Sequence, residues 1–251
     1  MRKAFSTGQL AAGASPVLVA IEDDLSPRQR ERCGGSCVLP LSAALPDGTR
    51  RVLMGKATLP AIRMGLAAPF EGFVEVGPDC LSGEHCRCLS VSRAGGMLLS
   101  LLTASAYRLD ILTLFCEALP ARFPPVTKEK VSAIETCLGE AISNAIIHGN
   151  LAIGSEMRAT REGLLRMGAV IEDRLADPRF GQRRLEIQAS ASSVDSIRIA
   201  VSDQGGGYNV EAVRAKVADI DAKCGRGLGI IRDNACSVSC MDGGRTLVLG
   251  F

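Results

Sequence analysis

The spacing of apolar and polar residues divides the chain at Gly95-Gly96. Before this point, short apolar runs alternate with Gly, Pro and Ser, which is typical of short strands and helices joined by turns. The predicted elements are strands at residues 17–21, 51–54 and 72–76 and a short helix at residues 61–67. Residues 1–95 are therefore predicted to form a small N-terminal α/β domain, whose role the sequence does not reveal.

After the glycine pair, apolar residues repeat at helical spacing. A long helix is predicted over residues 97–118, ending before Pro120 because proline cannot donate the helical hydrogen bond. A second helix is predicted to start after Thr127, a good N-cap, and to run through Ile147 to an end at Gly149. Its buried face would carry Val131, Ile134, Leu138, Ala141 and Ala145.

The C-terminal part of the chain adds further helices and four strands. Residues 185–189 and 197–201 alternate with period two and are joined by a short polar link, so they predict an antiparallel hairpin. The other predicted elements are helices at 155–176 and 230–235 and strands at 237–241 and 246–250, with a turn at 242–244.

Composition narrows the class of protein. The chain of 251 residues has 47% hydrophobic and 22% charged residues, which is typical of a soluble globular protein with a substantial core. Its formal net charge of +2 and the absence of Trp do not favour nucleic acid as a partner. Pro16 interrupts the apolar N-terminal run, and no stretch reaches the roughly 18 apolar residues that cross a bilayer. We therefore expect a cytoplasmic protein that binds neither nucleic acid nor a membrane.

The ten cysteines predict reduced thiols rather than a disulfide framework. Four of them lie in apolar runs and are predicted to be small core residues: Cys116, Cys137, Cys236 and Cys240. Five more lie in the N-terminal half, at spacings that match no strong zinc motif: Cys33, Cys37, Cys80, Cys86 and Cys88, with His85 nearby. A metal site is accordingly not expected there.

The acidic run Glu22-Asp23-Asp24 follows the first predicted strand, as acidic residues do in a phospho-receiver domain. However, no phosphorylatable Asp can be placed at the end of a third strand, and no later Lys fits the pattern. A degenerate receiver and a sensor domain of another kind therefore both remain open for residues 1–95.

Glu140, Asn144 and His148 form a polar stripe on the second helix, because residues four apart share a helix face. An acid, an amide and an imidazole without an accompanying Lys or Arg suit a site for a metal and a nucleotide. A solvated helix face explains the same stripe equally well. The helix alone leaves both interpretations open.

Two glycine clusters follow this helix along the chain. Asp203-x-Gly205-x-Gly207 comes directly after the second hairpin strand, and Gly225-Arg226-Gly227-Leu228-Gly229 opens the short helix. The second cluster is not a Rossmann fingerprint, since it does not follow a first parallel strand, and the chain has no GxxxxGK[ST] phosphate loop. Taken singly, each cluster also fits a turn or a helix cap.

The order of these motifs resembles the GHKL ATPase superfamily, whose nucleotide site is called the Bergerat fold. The segment 140–149 looks like the N-box of anti-sigma-factor serine kinases, and the terminal segment 244–249 matches that group too. The resemblance covers residues 97–251 and implies an α/β protein. The expected architecture is a two-layer α+β sandwich, in which helices cover one face of a mixed, mostly antiparallel sheet over residues 96–251.

The resemblance also implies roles for individual residues. Glu140 matches the catalytic general base, and Asn144 matches the ligand of Mg²⁺. Asp203 matches the carboxylate that accepts a hydrogen bond from the adenine amino group. The other residues implied in ATP binding are Gly205, Gly207, Gly225, Arg226, Gly227, Leu228, Gly229 and Thr246, with His148 as a further candidate.

Two segments depart from the family pattern. Residues 208–224 match the mobile ATP lid but look short, and the charged insert at residues 155–184 looks long. The insert could form an added helix or a partner-binding surface.

The function implied by the resemblance is that of an ATP- and Mg²⁺-dependent serine/threonine protein kinase of the anti-sigma type. It would phosphorylate an anti-anti-sigma-type antagonist, and a sigma factor is a second expected partner. One alternative is an ATP-binding regulatory module with little kinase activity, whose nucleotide state gates protein association. A lesser alternative is a histidine-kinase-like protein, although neither His85 nor His148 lies on a dimerising helix ahead of the module. A homodimer is expected from the resemblance alone.

Overall fold

A computed structural model describes residues 17–20, 26, 29, 38–77, 95–124, 126–193, 195–207 and 226–251. These residues form a nine-stranded mixed sheet in the order β2-β1-β3-β4-β5-β6-β7-β9-β8. The strands are β1 (Val17–Ala20), β2 (Val38–Pro40), β3 (Arg51–Gly55), β4 (Gly72–Glu75), β5 (Met97–Leu102), β6 (Arg184–Ser193), β7 (Ser196–Ser202), β8 (Ser237–Met241) and β9 (Thr246–Gly250).

Helices connect these strands and share one hydrophobic core with them. They are α1 (Leu59–Leu66), α2 (Thr103–Arg108), α3 (Ile111–Arg122), α4 (Lys128–Asn144), α5 (Arg161–Ala176), α6 (Pro178–Gly181) and α7 (Arg226–Asn234). A π-helical turn (Ala145–Asn150) continues α4, and 3₁₀ turns occupy Ser155–Ala159 and Asp242–Gly244. Neighbouring helices pack in series, α1 on α3, α3 on α4 and α4 on α7. Within the described residues, no helix has the length and apolar character needed to cross a membrane.

The direction of strand pairing changes at β5. The pairs from β2 to β5 are parallel, whereas those from β5 to β8 are antiparallel. The predicted α/β class and the mixed sheet are confirmed, as is the antiparallel hairpin, now β6 and β7. The sheet is continuous across the predicted domain boundary at 95/96, because β4 and β5 pair directly.

The prediction of one long helix over residues 97–118 is wrong. Met97–Leu102 forms β5, a strand in the middle of the sheet, and the helices α2 and α3 follow it. A continuous apolar run fits a strand covered on both faces as well as a buried helix, so its hydropathy could not separate the two. Helix α3 also continues past Pro120 to Arg122, although proline has no amide hydrogen to donate to the Cys116 carbonyl one turn earlier.

The prediction of four core cysteines is confirmed only for Cys116 and Cys137, which are buried. Cys236 is exposed and Cys240 is partly exposed, because both lie in or beside β8, the edge strand of the sheet. The other cysteines discussed above, at residues 33–37 and 80–88, lie outside the described residues. The acidic run at residues 22–24 lies outside them as well.

Arg184 connects the parallel and the antiparallel parts of the sheet. Its side chain is buried, with 4% of its surface exposed. Its guanidinium donates to the Ser100 hydroxyl at 3.1 Å and to the main-chain oxygen of Glu75 at 2.8 Å. The Glu75 carboxylate accepts from the Leu102 amide at 2.7 Å and from the Ser105 hydroxyl at 2.6 Å, while burial raises its pKa. A polar cross-link thus extends from β6 over β5 to β4.

We expect Arg184→Met to lower the free energy of unfolding by about 2–4 kcal/mol, because it removes a charged donor and leaves buried acceptors without partners. Urea denaturation followed by circular dichroism measures this change. The control is Arg198→Met on the exposed side of β7, which should change stability by less than about 0.5 kcal/mol. Equal effects of the two variants would contradict the structural role of the cross-link.

Candidate nucleotide site

Helix α4 carries the predicted polar stripe, and its start and buried face agree with the sequence prediction. The Thr127 side chain accepts from the Lys130 amide at 3.3 Å and caps the helix. The predicted apolar face packs into the core, with Ile134 and Leu138 fully buried. Glu140 and Asn144 are half-buried on the other side. The stripe therefore faces a neighbouring part of the protein as well as solvent.

The end of this helix differs from the simple stop predicted at Gly149. Over Ala145–Asn150 the chain forms a π-helical turn, in which the Leu151 amide donates to the Ile146 carbonyl at 2.8 Å. Five residues, rather than four, separate donor and acceptor there. Such wide turns occur often at functional sites, and here the turn brings Gly149 and Asn150 against the loop that follows β7.

Asp203 lies at the end of β7 with 8% of its surface exposed. Its carboxylate accepts from the Gly205 amide at 2.7 Å, and its own amide donates to the Arg245 carbonyl at 2.9 Å. Burial raises the pKa of Asp203 to about 6, although the Gly205 hydrogen bond and the charges of Arg245 and Arg183 act in the opposite direction. The fold thus buries a carboxylate that it only partly solvates.

Glycines allow the π-helical turn and the Asp203 loop to approach closely. A Cβ at Gly149 would lie 2.5 Å from the Asp203 carboxyl carbon, and a Cβ at Gly205 would collide with the Gly149 carbonyl oxygen. Side chains at either position would push the loop away from the helix. The structure therefore brings the end of the segment 140–149 and the Asp203 motif together.

The second glycine cluster meets the polar stripe at the start of α7. A Cβ at Gly227 would collide with the Glu140 carboxylate and would lie 3.6 Å from the Asn144 amide nitrogen. Helix α7 packs on α4, where the Cys137 thiol contacts the Ile231 carbonyl at 3.7 Å. Glu140, Asn144 and the first turn of α7 thus form one edge of the site, while Asp203 lies beyond the end of the stripe.

Thr246 lies beside this arrangement on β9, opposite Ser202 of β7. Its buried hydroxyl bonds with the Ser202 hydroxyl at 2.9 Å and with the Asp242 carboxylate at 2.8 Å. Gly207 has a φ of +79°, and a Cβ there would collide with the Gly243 carbonyl oxygen. Both residues therefore hold the last hairpin against the Asp203 loop.

The structure leaves some of the predicted positions undescribed. Gly225 and the lid at residues 208–224 lie outside the described residues. Arg226 and Leu228 belong to the first turn of α7, but their side chains are not described. Gly229 lies in the same helix with space around its Cβ position. Their roles in nucleotide binding stay predictions.

His148 makes a local contact that the sequence did not predict. Its Nδ1 lies 2.6 Å from the Ile153 carbonyl, so the ring is tied to the segment that follows the π-helical turn. Nε2 is left for any contact with a nucleotide. A phosphate or magnesium contact of His148 stays a prediction.

The oxygen atoms along the stripe suit magnesium. Mg²⁺ prefers amide and carboxylate oxygens and binds with the phosphates of its nucleotide rather than in an all-protein cage. Asn144 and Glu140 offer such oxygens beside the start of α7, where main-chain amides can bind phosphate. The residues present therefore fit Mg²⁺ bound together with a triphosphate.

Asn150, Gln204 and Arg184 also position the site but carried little signal in the sequence. Asn150 is fully buried, and its side chain bonds with the main chain of Gln204 and Arg184. Only the position of Asn150 directly after Gly149 hinted at the role of Asn150.

The insert at residues 155–184 contains α5 and α6, which confirms the added helix. The role of the insert as a partner-binding surface stays a prediction.

We expect Asp203→Asn to stabilise the protein without nucleotide. The folded pKa of about 6 lies above the unfolded value of 3.8, so the folded carboxyl resists ionisation. Below about pH 4 both states are protonated and the carboxyl has no effect, whereas its ionisation destabilises the fold increasingly as pH rises through 6. The variant should gain about 1–3 kcal/mol at pH 8 and little at pH 4. Thermal or urea denaturation at both pH values measures this difference, and an equal gain at both would contradict it.

Comparison with known proteins identifies the family. The sequence model of the histidine kinase-like ATPase domain family matches residues 102–251, which is more than half of the chain. A search of curated proteins gives no match. The matched region begins at the end of β5 and contains the polar stripe, both glycine clusters and the closing hairpin. The chain belongs to the histidine kinase-like ATPase domain family, the GHKL group.

Proposed function

We propose that this protein is an ATP-dependent serine/threonine protein kinase of the anti-sigma type. Its substrate would be a Ser or Thr on an anti-anti-sigma-type antagonist in a partner-switching pathway. The observation that carries this proposal is the position of the Glu140 carboxylate, which lies against Gly227 at the start of α7. A carboxylate there is beside the phosphate-binding amides, where a general base for phosphoryl transfer must lie.

Nucleotide binding in this proposal uses the two ends of the site. Asp203 accepts a hydrogen bond from the adenine amino group, and Gly205 and Gly207 let the loop approach the base. Thr246 supports the adenine side from β9. At the other end, the amides of Gly225, Gly227 and Gly229 and the Arg226 side chain bind the phosphates, and Asn144 binds Mg²⁺ through its amide oxygen.

Catalysis would depend on positioning and on charge. Magnesium, when bound, neutralises the charge that develops on the phosphates. Glu140 accepts the proton of the substrate hydroxyl, the hydroxyl oxygen bonds to the terminal phosphorus, and the bond to the bridging oxygen breaks as ADP leaves. Because the polar stripe belongs to one helix, the base and the magnesium ligand keep a fixed separation of one helical turn.

A second candidate function is nucleotide-gated association with little phosphoryl transfer. It is favoured by the Arg184 cross-link, since β4 belongs to the N-terminal half and β6 leads to the site. In that case residues 1–95 would act as sensor or output domain. For either function we propose a cytoplasmic protein, with a sigma factor as a second partner and a homodimer as its assembly.

Glu140→Gln should abolish phosphoryl transfer but preserve nucleotide binding, because it removes the base and retains the shape of the side chain. The assay combines labelled ATP, Mg²⁺ and candidate antagonist proteins with wild type or variant. Calorimetry measures ATP affinity for both. A loss of transfer by about 100-fold or more at unchanged affinity is expected.

Three outcomes separate the candidates. Tight ATP binding by wild type without transfer to any antagonist would favour nucleotide-gated association over the kinase. Undiminished transfer by Glu140→Gln would show that another residue is the base. Unchanged nucleotide affinity in both Asn144→Ala and Asp203→Ala would contradict the proposed ATP site.

Gly227→Ala should lower transfer without unfolding the protein. The added methyl must displace the Glu140 carboxylate, which is the end of a flexible side chain and can move at little cost. The matched control is Gly168→Ala in α5, where a Cβ meets no atom within 4 Å. Both changes should stabilise their helices by up to about 1 kcal/mol, but only Gly227→Ala should reduce the transfer rate. Equal rates in the two variants would contradict the proposed position of the base.

A further inference from the structure

A closed set of hydrogen bonds, one of them buried and two part-buried, joins the π-helical turn to the Asp203 loop. The Asn150 side chain accepts from the Gln204 amide at 2.8 Å and donates to the Arg184 carbonyl at 3.0 Å. The Gln204 side chain accepts in turn from the Arg184 amide at 2.8 Å. We call Asn150, Gln204 and the main chain of Arg184 the Asn150 network. Each of its three members is bonded to both of the others.

The network fixes the main chain on one side of Asp203. Gln204 is the next residue along the chain, and both its amide and its side-chain oxygen are bonded. On the preceding side, the Asp203 amide donates to the Arg245 carbonyl at 2.9 Å. The carboxylate itself bonds only to the Gly205 amide among the hydrogen bonds found in the described residues, at 2.7 Å. Its direction therefore depends on the path of its main chain.

Asn150 is the central member of this network. It is 0% exposed, and its main-chain carbonyl accepts a hydrogen bond from the Arg183 guanidinium at 2.7 Å. Asn150 reaches Gln204 because the π-helical turn places it there, directly after Gly149, which contacts the Asp203 carboxylate. The Asn150 network therefore lies next to the carboxylate oxygens of Asp203.

We propose that Asn150 and Gln204 are positioning residues that determine the selectivity for adenine. They hold the Asp203 carboxylate in the direction in which it accepts a hydrogen bond from the 6-amino group of the base. This inference rests on the proposed role of Asp203. A loop free to move by about 1 Å would still admit a purine but would lose most of the discrimination that a fixed acceptor provides.

A purely structural role makes a different prediction. If the network only stabilised the fold, its loss would lower the free energy of unfolding and reduce the affinity for all nucleotides by the same factor. If it positions Asp203, its loss reduces the affinity for ATP more than the affinity for an analogue without the amino group. The ratio of two affinities measured on the same variant therefore distinguishes the roles.

The experiment compares Mg²⁺-ATP with the triphosphate of purine riboside, which lacks the 6-amino group, by calorimetry at pH 8. At this pH Asp203 is ionised in the fold. Wild type should prefer ATP by about tenfold or more, the effect of one hydrogen bond to a charged acceptor. Gln204→Met, which retains side-chain length but removes the acceptor for the Arg184 amide, should lose most of this preference. Gln204→Glu, which retains an acceptor oxygen, should keep it.

Asn150→Ala tests the central residue in the same assay and should also lose most of the preference. Circular dichroism checks its folding, and if it does not fold, the exposed Gln204 pair decides the question. Asp203→Ala tests the proposed function separately. A preference that survives in Asp203→Ala would show that Asp203 does not recognise the amino group, which overturns both proposals. A preference lost in Asp203→Ala but kept in the folded Gln204→Met and Asn150→Ala variants would overturn only the positioning role.

Discussion

The burial of the Asp203 carboxylate is the constraint on which the site depends. A charge in a nearly closed environment needs donors, and the described structure provides one main-chain amide within hydrogen-bond distance, that of Gly205. The raised pKa records this incomplete solvation. A buried carboxylate that lowers the stability of the fold is typical of a group that recognises a ligand. A ligand that donates a hydrogen bond to the carboxylate replaces the hydrogen bond to water that burial removed. Glycines at positions 149 and 205 allow the helix end to close over it.

Much of this site could be predicted from the sequence, because its motifs are local. The polar stripe follows from spacing by four, the N-cap at Thr127 from residue type, and the hairpin β6–β7 from alternation with a polar link. The strand β5 could not be predicted, since its neighbours in the sheet come from distant parts of the chain and its hydropathy also fits a buried helix. The same holds for Arg184, whose partners on β4 and β5 become visible only in three dimensions.

The continuous sheet changes how the two predicted domains are understood. Strands β4 and β5 pair along residues 72–74 and 98–100, so the N-terminal strands extend the sheet of the ATPase domain. The Arg184 cross-link adds buried charge-assisted hydrogen bonds across the same boundary. Movement of one part relative to the other would break main-chain pairing as well as these bonds. The described strands among residues 1–95 are therefore joined to the site through a shared sheet.

The π-helical turn at the end of α4 makes the length of that segment as important as its composition. A π-helical turn contains one residue more than an α-helical turn, so removing one residue would shift Gly149 and Asn150 relative to the rest of the helix. Gly149 and Asn150 would then point away from the Asp203 loop although every side chain in the stripe remained. Relatives that share this turn should therefore keep the number of residues between Ala145 and Asn150, as well as the residue types at 149 and 150.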